Sequence, residues 1–309
     1  MRVLFMGSPD FAIPSFLMLA QHHELIAAVT QPDRPAGRGR TITQSPVKRA
    51  ALEHSIPLLQ PRRINDPAVL PQLRELKPDV IVVAAYGQIL SPEILELPPH
   101  GCVNVHASLL PRWRGAAPVH AAILHGDTQS GVSIMKMDQG LDTGPIISQR
   151  QIPILPDETG GDLSSRLATL GAELLDETII PYSLGELQPV PQNDSQASHA
   201  PSLKKSDGLL DWRKTAIELD RQIRAFEPWP GSFFHWKQRR ITVRKAHPQS
   251  CESANPASVV LTGELPAIVT SAGLLVLEIL QPAGRKAMPA DTFLRGAPKF
   301  INTSLNLPD

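Results

Sequence analysis

Residues 79–85 are the feature that most limits the folds open to this chain. Their sequence, Asp-Val-Ile-Val-Val-Ala-Ala, is a nearly continuous apolar run with many β-branched residues. A strand with one solvated face alternates apolar and polar residues, whereas a run without alternation indicates a strand buried on both faces. Such strands occupy the centre of parallel sheets that helices cover. The run therefore predicts an α/β domain.

The first thirty residues predict the unit from which such a sheet is built. An apolar run at 3–6 ends at Gly7-Ser8-Pro9, a helical pattern follows to Leu19, and a second apolar run covers 25–30. This order is a β-α-β unit, which pairs its two strands in parallel. No GxGxxG pattern follows the first strand, so a dinucleotide site is not supported. A ligand is still expected beyond the carboxyl ends of the strands.

The C-terminal part predicts a different architecture. A chain of 309 residues is long enough for about two domains. The proline-containing polar stretch 184–203 is the best candidate linker, between a domain at 1–183 and a domain at 204–309. Beyond it, short β runs separated by turn signals predict a small β-barrel, with strands at 232–236, 240–246, 258–262, 267–270 and 274–280.

Charge and cysteine content narrow the class of protein. The formal net charge is zero, but residues 1–190 hold 15 basic and 19 acidic side chains, and residues 191–309 hold 15 and 11. The basic C-terminal part indicates an anionic partner, although the excess is modest. Two cysteines without metal-binding spacing suit a reducing compartment. Without a secretory or membrane-spanning pattern, a cytoplasmic enzyme is expected.

Residues 102–144 hold the side chains most capable of chemistry. The β-branched run 103–106 predicts a strand, and Asn104 and His106 share one face because strand side chains alternate. Two Asp and two Gly in the sequence DQGLDTG at 138–144 predict a loop with special backbone angles. If this loop folds back over the strand end, Asp142 can approach His106. From the residues alone, a structural histidine and a plain turn are the commoner explanation of such features.

A family resemblance favours catalysis. The sequence NVHASLLPRWRGAAP, followed by DQGLDTG, resembles the signature of folate-dependent formyltransferases. WRGAAP is similar to the members of that family that act on methionyl-tRNA, and GSPDFA near the start resembles the opening of their fold. KSDGLLDW, IRAFEPWPG and LEILQPAGRKAM resemble their C-terminal domain. The resemblance covers most of the chain and is weak at 247–273 and after Gly296.

The resemblance implies both a fold and a reaction. The fold is a Rossmann-like formyltransferase domain with a mostly parallel sheet, followed by a smaller oligonucleotide-binding-type β-barrel. The reaction moves the formyl group of 10-formyltetrahydrofolate to the α-amino group of initiator methionyl-tRNA, without a metal. Negative charge develops on the formyl oxygen and needs donors, which Asn104 and His106 would supply, while Asp142 would accept a proton and orient His106. Neither Cys102 nor Ser108 is expected to act as a nucleophile.

The resemblance also implies two binding surfaces. The folate site would be formed by Tyr86, Gly87, Gln88, Ile89, Leu90, Ser108, Leu109, Leu110 and Pro111. The tRNA contacts would come from a basic loop at 31–43, with Arg34, Arg38 and Arg40, of which Arg38 matches the family's key residue. The acid-free charge run in the predicted barrel adds Lys237, Arg239 and Arg240. Thr41 departs from the family, which often has another basic residue there. Such charge runs are usually only solvated surface. A monomer is expected.

Other activities use the same centre. An Asn-His-Asp set also serves enzymes that formylate glycinamide ribonucleotide or sugar-nucleotide amines, and one that hydrolyses formyltetrahydrofolate. The basic loop and the barrel favour tRNA over these substrates, and a hydrolase-dehydrogenase would need a much longer chain with a reactive cysteine. A non-catalytic RNA-binding relative is the alternative from a different class. The presence of Asn104, His106 and Asp142 argues against that alternative.

Overall fold

A computed structural model describes residues 1–36, 41–251 and 255–307, in two compact units. The first unit is 1–118, 129–153 and 164–201, and the second is 119–128, 154–163 and 202–309. The strands are β1 Arg2–Gly7, β2 Glu24–Val29, β3 Arg34–Ala36, β4 Thr41–Thr43, β5 Leu58–Leu59, β6 Val80–Ala84, β7 Cys102–His106, β8 Arg114–Gly115, β9 Gln129–Lys136, β10 Ile146–Pro153, β11 His199–Ala200, β12 Ser232–Trp236, β13 Arg239–Gln249, β14 Val259–Thr262, β15 Leu265–Val269, β16 Leu274–Pro282 and β17 Met288–Pro289. The helices are α1 Ile13–His22, α2 Pro46–Glu53, α3 Val69–Glu75, α4 Pro92–Leu95, α5 Pro118–Leu124, α6 Gly160–Ser183, α7 Ala216–Ala225 and α8 Ala290–Gly296.

Seven strands of the first unit form one sheet in the order β10-β9-β7-β6-β1-β2-β5. The five strands β7, β6, β1, β2 and β5 pair in parallel. At the other edge, β9 pairs antiparallel with β7, and β10 pairs antiparallel with β9. The run predicted as a central strand is β6, which is buried at every residue and lies between β1 and β7. The predicted α/β class with a mostly parallel sheet is confirmed.

The register of β6 and β7 determines what meets at the carboxyl edge of this sheet. Val83 of β6 pairs with Asn104 of β7, and both strands run in the same direction. The segment that follows β6, residues 85–90, therefore lies beside the end of β7, where His106 is the last strand residue. This is the edge at which open α/β sheets bind ligands.

The second unit has an antiparallel sheet in the order β12-β13-β16-β15-β14, with β17 also pairing with β16. Its core contains Trp212, Phe234 and Phe300, with Phe234 in contact with both other rings. All five predicted β runs are confirmed. β13 extends beyond the predicted end because main-chain pairing with β16 continues to Gln249 after the apolar alternation has stopped.

The segment predicted as a linker is attached to the first unit over most of its length. Val190 and Ile146 exchange both of their main-chain hydrogen bonds, and β11 pairs in parallel with β8. Main-chain pairing needs no apolar side chain, so the polar composition that indicates a linker does not reveal it. The domain boundary itself stays a prediction. Within the described ranges, no helix has the length and apolar character needed to cross a bilayer.

Candidate active site

The catalytic candidates are brought together by β7 and by the loop between β9 and β10. Asn104 and His106 lie on one face of β7, as strand alternation predicts. The β9–β10 loop is closed at its base, where the Lys136 N–H donates to the Pro145 carbonyl. A side chain at Gly144 would overlap the Lys136 carbonyl, so only glycine allows this closure. Asp142 takes a left-handed φ of 53°, which turns its carboxylate toward β7.

Asp142 contacts both β7 side chains. Asn104 Nδ2 donates to Asp142 Oδ1 at 3.3 Å, and His106 Nδ1 lies 3.6 Å from Asp142 Oδ2, which is within ion-pair range. The Gly115 N–H donates to the same Oδ2 at 2.9 Å. Asn104 and His106 are buried, and the Asp142 side chain is 15% exposed. The predicted approach of Asp142 to His106 is confirmed, while the catalytic roles stay predictions.

His106 faces oxygen atoms from both of its ring nitrogens. Its Nε2 lies 3.0 Å from the Trp113 carbonyl, which can only accept, so Nε2 carries a hydrogen and donates it. Nδ1, which faces Asp142, can carry a second hydrogen only in the imidazolium form. The sequence-based expectation treats His106 mainly as a donor to substrate. In this structure its Nε2 hydrogen is instead engaged by Trp113.

Asn104 is the better placed oxyanion donor. A carboxamide has two N–H groups, and only one is needed for the contact with Asp142. The second can point to the oxygen of a bound carbonyl compound. Because the group is largely buried, a charge formed on that oxygen would interact with it more strongly than in water.

The residues expected to hold folate lie around the ends of β6 and β7, but few offer side chains to a ligand. Tyr86 and Leu90 pack in the core of the sheet, and burial raises the pKa of Tyr86 to about 12. Gln88 Oε1 accepts from the Ile64 N–H. Ile89 is 73% exposed, and the space around Gly87, at φ 79°, is open. A ligand here would therefore meet Ile89 and main chain rather than the other side chains.

The second group of folate candidates lies in the turn after β7. Ser108 Oγ donates to the Arg112 carbonyl, and the Leu110 N–H donates to Ser133 Oγ. Leu110 is buried, whereas Leu109 and Pro111 are partly exposed. Ser108 thus fixes the turn, and nothing about its contacts activates it as a nucleophile.

The basic loop is only partly described. Arg38 and Arg40 lie outside the described residues, and Arg34 donates to Gln31 Oε1. The base of the loop is anchored by Asp33, which accepts from Lys48 Nζ at 2.7 Å and from Gln60 at 3.0 Å. Those two hydrogen bonds lower the pKa of Asp33. These contacts hold Asp33 in place at the start of the segment.

The candidate tRNA-binding cations of the second unit are arranged on a tight hairpin. Lys237 and Gln238, both with positive φ, form the two-residue turn between β12 and β13. The Lys237 ammonium lies 4.6 Å from the Trp236 ring centroid, and the Arg240 guanidinium lies 3.7 Å from that of Phe233. Arg239 is exposed at the start of β13. Both rings pack inward, since Phe233 is buried and Trp236 packs against the core, so the hairpin presents the cations themselves at the surface, where a polyanion could meet them.

Cys102 is buried in the core of the first unit's sheet. Cys102 Sγ is 3.6 Å from the Ile94 carbonyl, and burial raises the pKa of the thiol to about 12, so it is not a ready nucleophile. In the parts of the chain that the structure describes, His, Cys, Asp and Glu residues form no group of three or more suited to a metal ion.

Sequence reasoning missed the main-chain groups that complete the site. The Trp113 carbonyl and the Gly115 N–H contact His106 and Asp142, and Gln192 donates to the Asp142 carbonyl at 2.9 Å. Trp113 and Gly115 belong to the quoted WRGAAP motif, so the motif was the available signal. Gln192 had no such signal, because it lies in the stretch predicted as a linker.

Comparison with known sequences places these features in a family. The family profile described as Formyl transferase matches residues 1–179, and the profile described as Formyl transferase, C-terminal domain, matches residues 202–298. The methionyl-tRNA formyltransferase of Myxococcus xanthus is 47% identical over 296 residues, covering 96% of this chain and 95% of that protein. The protein of the same name from Geobacter metallireducens is 45% identical over 298 residues, covering 96% of each.

Solved structures share the fold at lower identity. The N-formyltransferase of Helicobacter canadensis, in complex with folinic acid and dTDP-3-aminofucose, matches with a TM-score of 0.68. It is 20% identical, and the match covers 89% of this chain and 97% of that one. At this identity the likeness supports the fold alone.

Proposed function

The chain belongs to the formyl transferase family, and from this premise we propose that it transfers the formyl group of 10-formyltetrahydrofolate to the α-amino group of initiator methionyl-tRNA. The 47% identity to a methionyl-tRNA formyltransferase over 96% of the chain carries this proposal. The contacts of Asn104 and His106 with Asp142 supply a chemical centre for it. The product would be N-formylmethionyl-tRNA.

Folate would bind beyond the ends of β6 and β7. The exposed apolar side chain of Ile89 and the open main chain at Gly87 fit the flat face of an aromatic ring. Leu109 and Pro111 would line the same edge, next to Asn104. When bound, 10-formyltetrahydrofolate supplies an activated formyl group.

The protein side chains would stabilise charge and accept a proton. Asn104 would donate its second N–H to the formyl oxygen, where negative charge develops as the amine attacks. A free α-amino group titrates near ~8, so much of it is close to neutral at pH 7, and a modest base is enough to take its proton. Asp142 would serve as that base, directly or through water, and would orient the His106 ring through the 3.6 Å approach of its carboxylate to Nδ1. No covalent enzyme intermediate is needed.

A sugar-nucleotide amine is the principal rival acceptor. The Helicobacter canadensis enzyme shares the fold and was solved with dTDP-3-aminofucose. Against this rival stand the much higher identity to methionyl-tRNA formyltransferases and the cation-bearing hairpin of the second unit. The rival predicts no role for that hairpin.

An acceptor assay tests the proposal. The protein is incubated with 10-formyltetrahydrofolate and, in parallel, charged initiator tRNA, charged elongator methionyl-tRNA or dTDP-3-aminofucose. We expect formylmethionine from the initiator tRNA at a rate well above the other two acceptors. Formylation of the sugar nucleotide in place of either tRNA would overturn the proposal, and so would absence of transfer to every acceptor.

Folate should stabilise the protein against heat. A ligand at one hundred times its Kd adds about 2.7 kcal/mol to the free energy of unfolding, which raises Tm by several degrees. We expect Ile89→Asp to reduce this Tm shift, because it places a charge on the proposed ring surface. Leu261→Asp is the matched control, since Leu261 is an exposed residue on β14, in the second unit. Equal Tm shifts in the two variants would show that Ile89 is not part of the folate site.

The hairpin cations should contribute to tRNA affinity. Neutralising Lys237, Arg239 and Arg240 together should raise KM for charged tRNA and flatten its dependence on salt, because removing one cation–phosphate pair reduces the salt slope by about one. Gln238→Ala changes the same turn without changing charge and is the control. If the triple variant keeps the parent's KM across a range of salt, the hairpin does not bind tRNA.

The basic loop, the oligomeric state and the location are parts of the same proposal. Arg34, Arg38 and Arg40 would contact the acceptor end of the tRNA, with Arg38→Leu more harmful than loss of an ordinary surface arginine. The protein would act as a monomer in the cytoplasm, where translation supplies its substrate. Light scattering at assay concentrations tests the oligomeric state, because a dimer would have twice the chain mass of 33.6 kDa.

A further inference from the structure

Residues 190–200, here called the clamp segment, contact both loops that complete the active site. At one end, Val190 pairs with Ile146, the first strand residue after the loop that carries Asp142. At the other end, β11 pairs with β8, which directly follows Trp113. One continuous stretch of chain therefore joins the surroundings of Asp142 to those of His106.

Gln192 is the clamp residue that contacts the Asp142 loop. Its Nε2 donates to the Asp142 carbonyl at 2.9 Å and to the Gly144 carbonyl at 2.7 Å. These two bonds use both hydrogens of the amide. They hold the main chain on either side of Thr143, next to the left-handed φ of Asp142. Loss of the bonds would release the residue whose carboxylate faces His106.

Arg114 determines which way the Gln192 amide points. Its Nε and Nη2 donate to Gln192 Oε1 at 3.0 and 2.9 Å, and the arginine side chain has no acceptor. The amide oxygen must therefore face Arg114, which directs the amide nitrogen to the two carbonyls. Arg114 is itself buried, and its Nη2 also contacts Asp194 at 2.7 Å. If the Gln192 amide were rotated by half a turn, its N–H groups would face those of Arg114, and its oxygen would face the carbonyl oxygens of Asp142 and Gly144.

The other end of the clamp segment holds the loop that contacts His106. Ser198 Oγ accepts from the Trp113 N–H at 3.0 Å, and the Ser198 carbonyl accepts from the Arg114 N–H at 2.8 Å. Trp113 has a φ of 61°, unusual for a bulky residue, and its carbonyl accepts from His106. Gly115 has a φ of 114°, and a side chain there would meet the Ala200 carbonyl at 2.7 Å. The segment thus lies directly against both unusual backbone positions.

We propose that the clamp segment, through the contact of Gln192 with Arg114, sets the distance between His106 and Asp142. Gln192 and Arg114 are then positioning residues for formyl transfer. The inference rests on the proposed function. Gln192 touches the main chain of Asp142 rather than a substrate, so its loss should act on turnover through geometry. A misplacement of about 1 Å can lower a rate by about 100-fold.

Kinetics of two glutamine variants test the proposal. In Gln192→Ala we expect kcat to fall by about 10- to 100-fold, with KM for tRNA and Kd for folate within about twofold of the parent. Gln192→Glu keeps an acceptor for Arg114 but places a second carboxylate oxygen against the Asp142 and Gly144 carbonyls. We therefore expect its kcat to fall at least as far as that of Gln192→Ala. Gln188→Ala is the matched control, because Gln188 Nε2 donates only to the nearby Gly185 carbonyl among the described residues. It should keep the parent's kcat.

Two further measurements separate positioning from a general loss of structure. Hydrogen exchange of a peptide spanning 138–145 should become faster in Gln192→Ala, while exchange in β6 stays unchanged. In an Asp142→Ala background, Gln192→Ala should lower kcat by less than about twofold, because the carboxylate that Gln192 positions is already absent. A full additional loss in that background would overturn the proposal, as would parent-like kcat or unchanged loop exchange in Gln192→Ala. Loop exchange does not depend on activity, so failure of the proposed function would be seen separately, in the parent enzyme.

Discussion

Asn104→Ala is expected to lower kcat by about 10²- to 10³-fold, the loss that follows removal of one oxyanion donor. The reason is the geometry of its carboxamide, which donates one N–H to Asp142 at 3.3 Å and has a second for the formyl oxygen. Steady-state formylation of charged initiator tRNA measures the change. KM for both substrates should stay close to that of the parent, because the hydrogen bond to the formyl oxygen forms mainly in the transition state.

Asn104→Asp separates loss of the donor from loss of side-chain volume. Aspartate has nearly the same shape but only accepts when ionised, and it would place a second carboxylate beside Asp142. We therefore expect a rate no higher than that of Asn104→Ala, in a protein whose far-UV circular dichroism matches the parent. Activity near that of the parent in either folded variant would exclude Asn104 as an oxyanion donor.

Asp142→Asn is expected to lower kcat by about 10²- to 10⁴-fold, the usual contribution of a general base. The substitution removes the charge that faces His106 Nδ1 at 3.6 Å and the group that would accept the amine proton. Asparagine retains an oxygen that can accept from the Gly115 N–H, so the loop should keep its position. His106→Ala should also lose most turnover, because it removes the ring that lies between Asp142 and the Trp113 carbonyl beside the proposed reaction centre. Single-turnover formylation measures the chemical step directly.

Asp138→Asn is the control within the same loop. Asp138 accepts from the Gly140 N–H at 3.0 Å and from the Thr143 hydroxyl at 2.7 Å, and an asparagine oxygen can accept both hydrogen bonds. Loss of a negative charge from the loop alone should therefore leave kcat within a few-fold of the parent. If Asp138→Asn and Asp142→Asn lose activity equally, the effect comes from the total negative charge of the loop rather than from a general base at Asp142.

Local pattern was enough to predict the central strand of the first unit and the main strands of the second, but not β3 and β4 within the predicted loop 31–43 or β11 within the predicted linker. The apolar run at 79–85 predicts β6 because a strand buried on both faces has no polar face to show. The five short β runs in the C-terminal part predict β12 to β16 for a different reason, because turn residues separate one run from the next. Strand alternation also places Asn104 and His106 on one face of β7 without any tertiary information.

The amino-acid sequence by itself thus determined β6, the strands β12 to β16, the shared face of Asn104 and His106, and, through its motifs, the family. Only the tertiary structure decided how His106 and Asp142 are held, because the Trp113 carbonyl, the Gly115 N–H and the pairing of β8 with β11 involve main-chain groups. Every residue has such groups, so residue identity does not predict their partners. Gln192 acts through its side chain, but the sequence does not reveal its partners either. Its role depends on Arg114, 78 positions earlier in the chain, which chain folding brings within 3.0 Å.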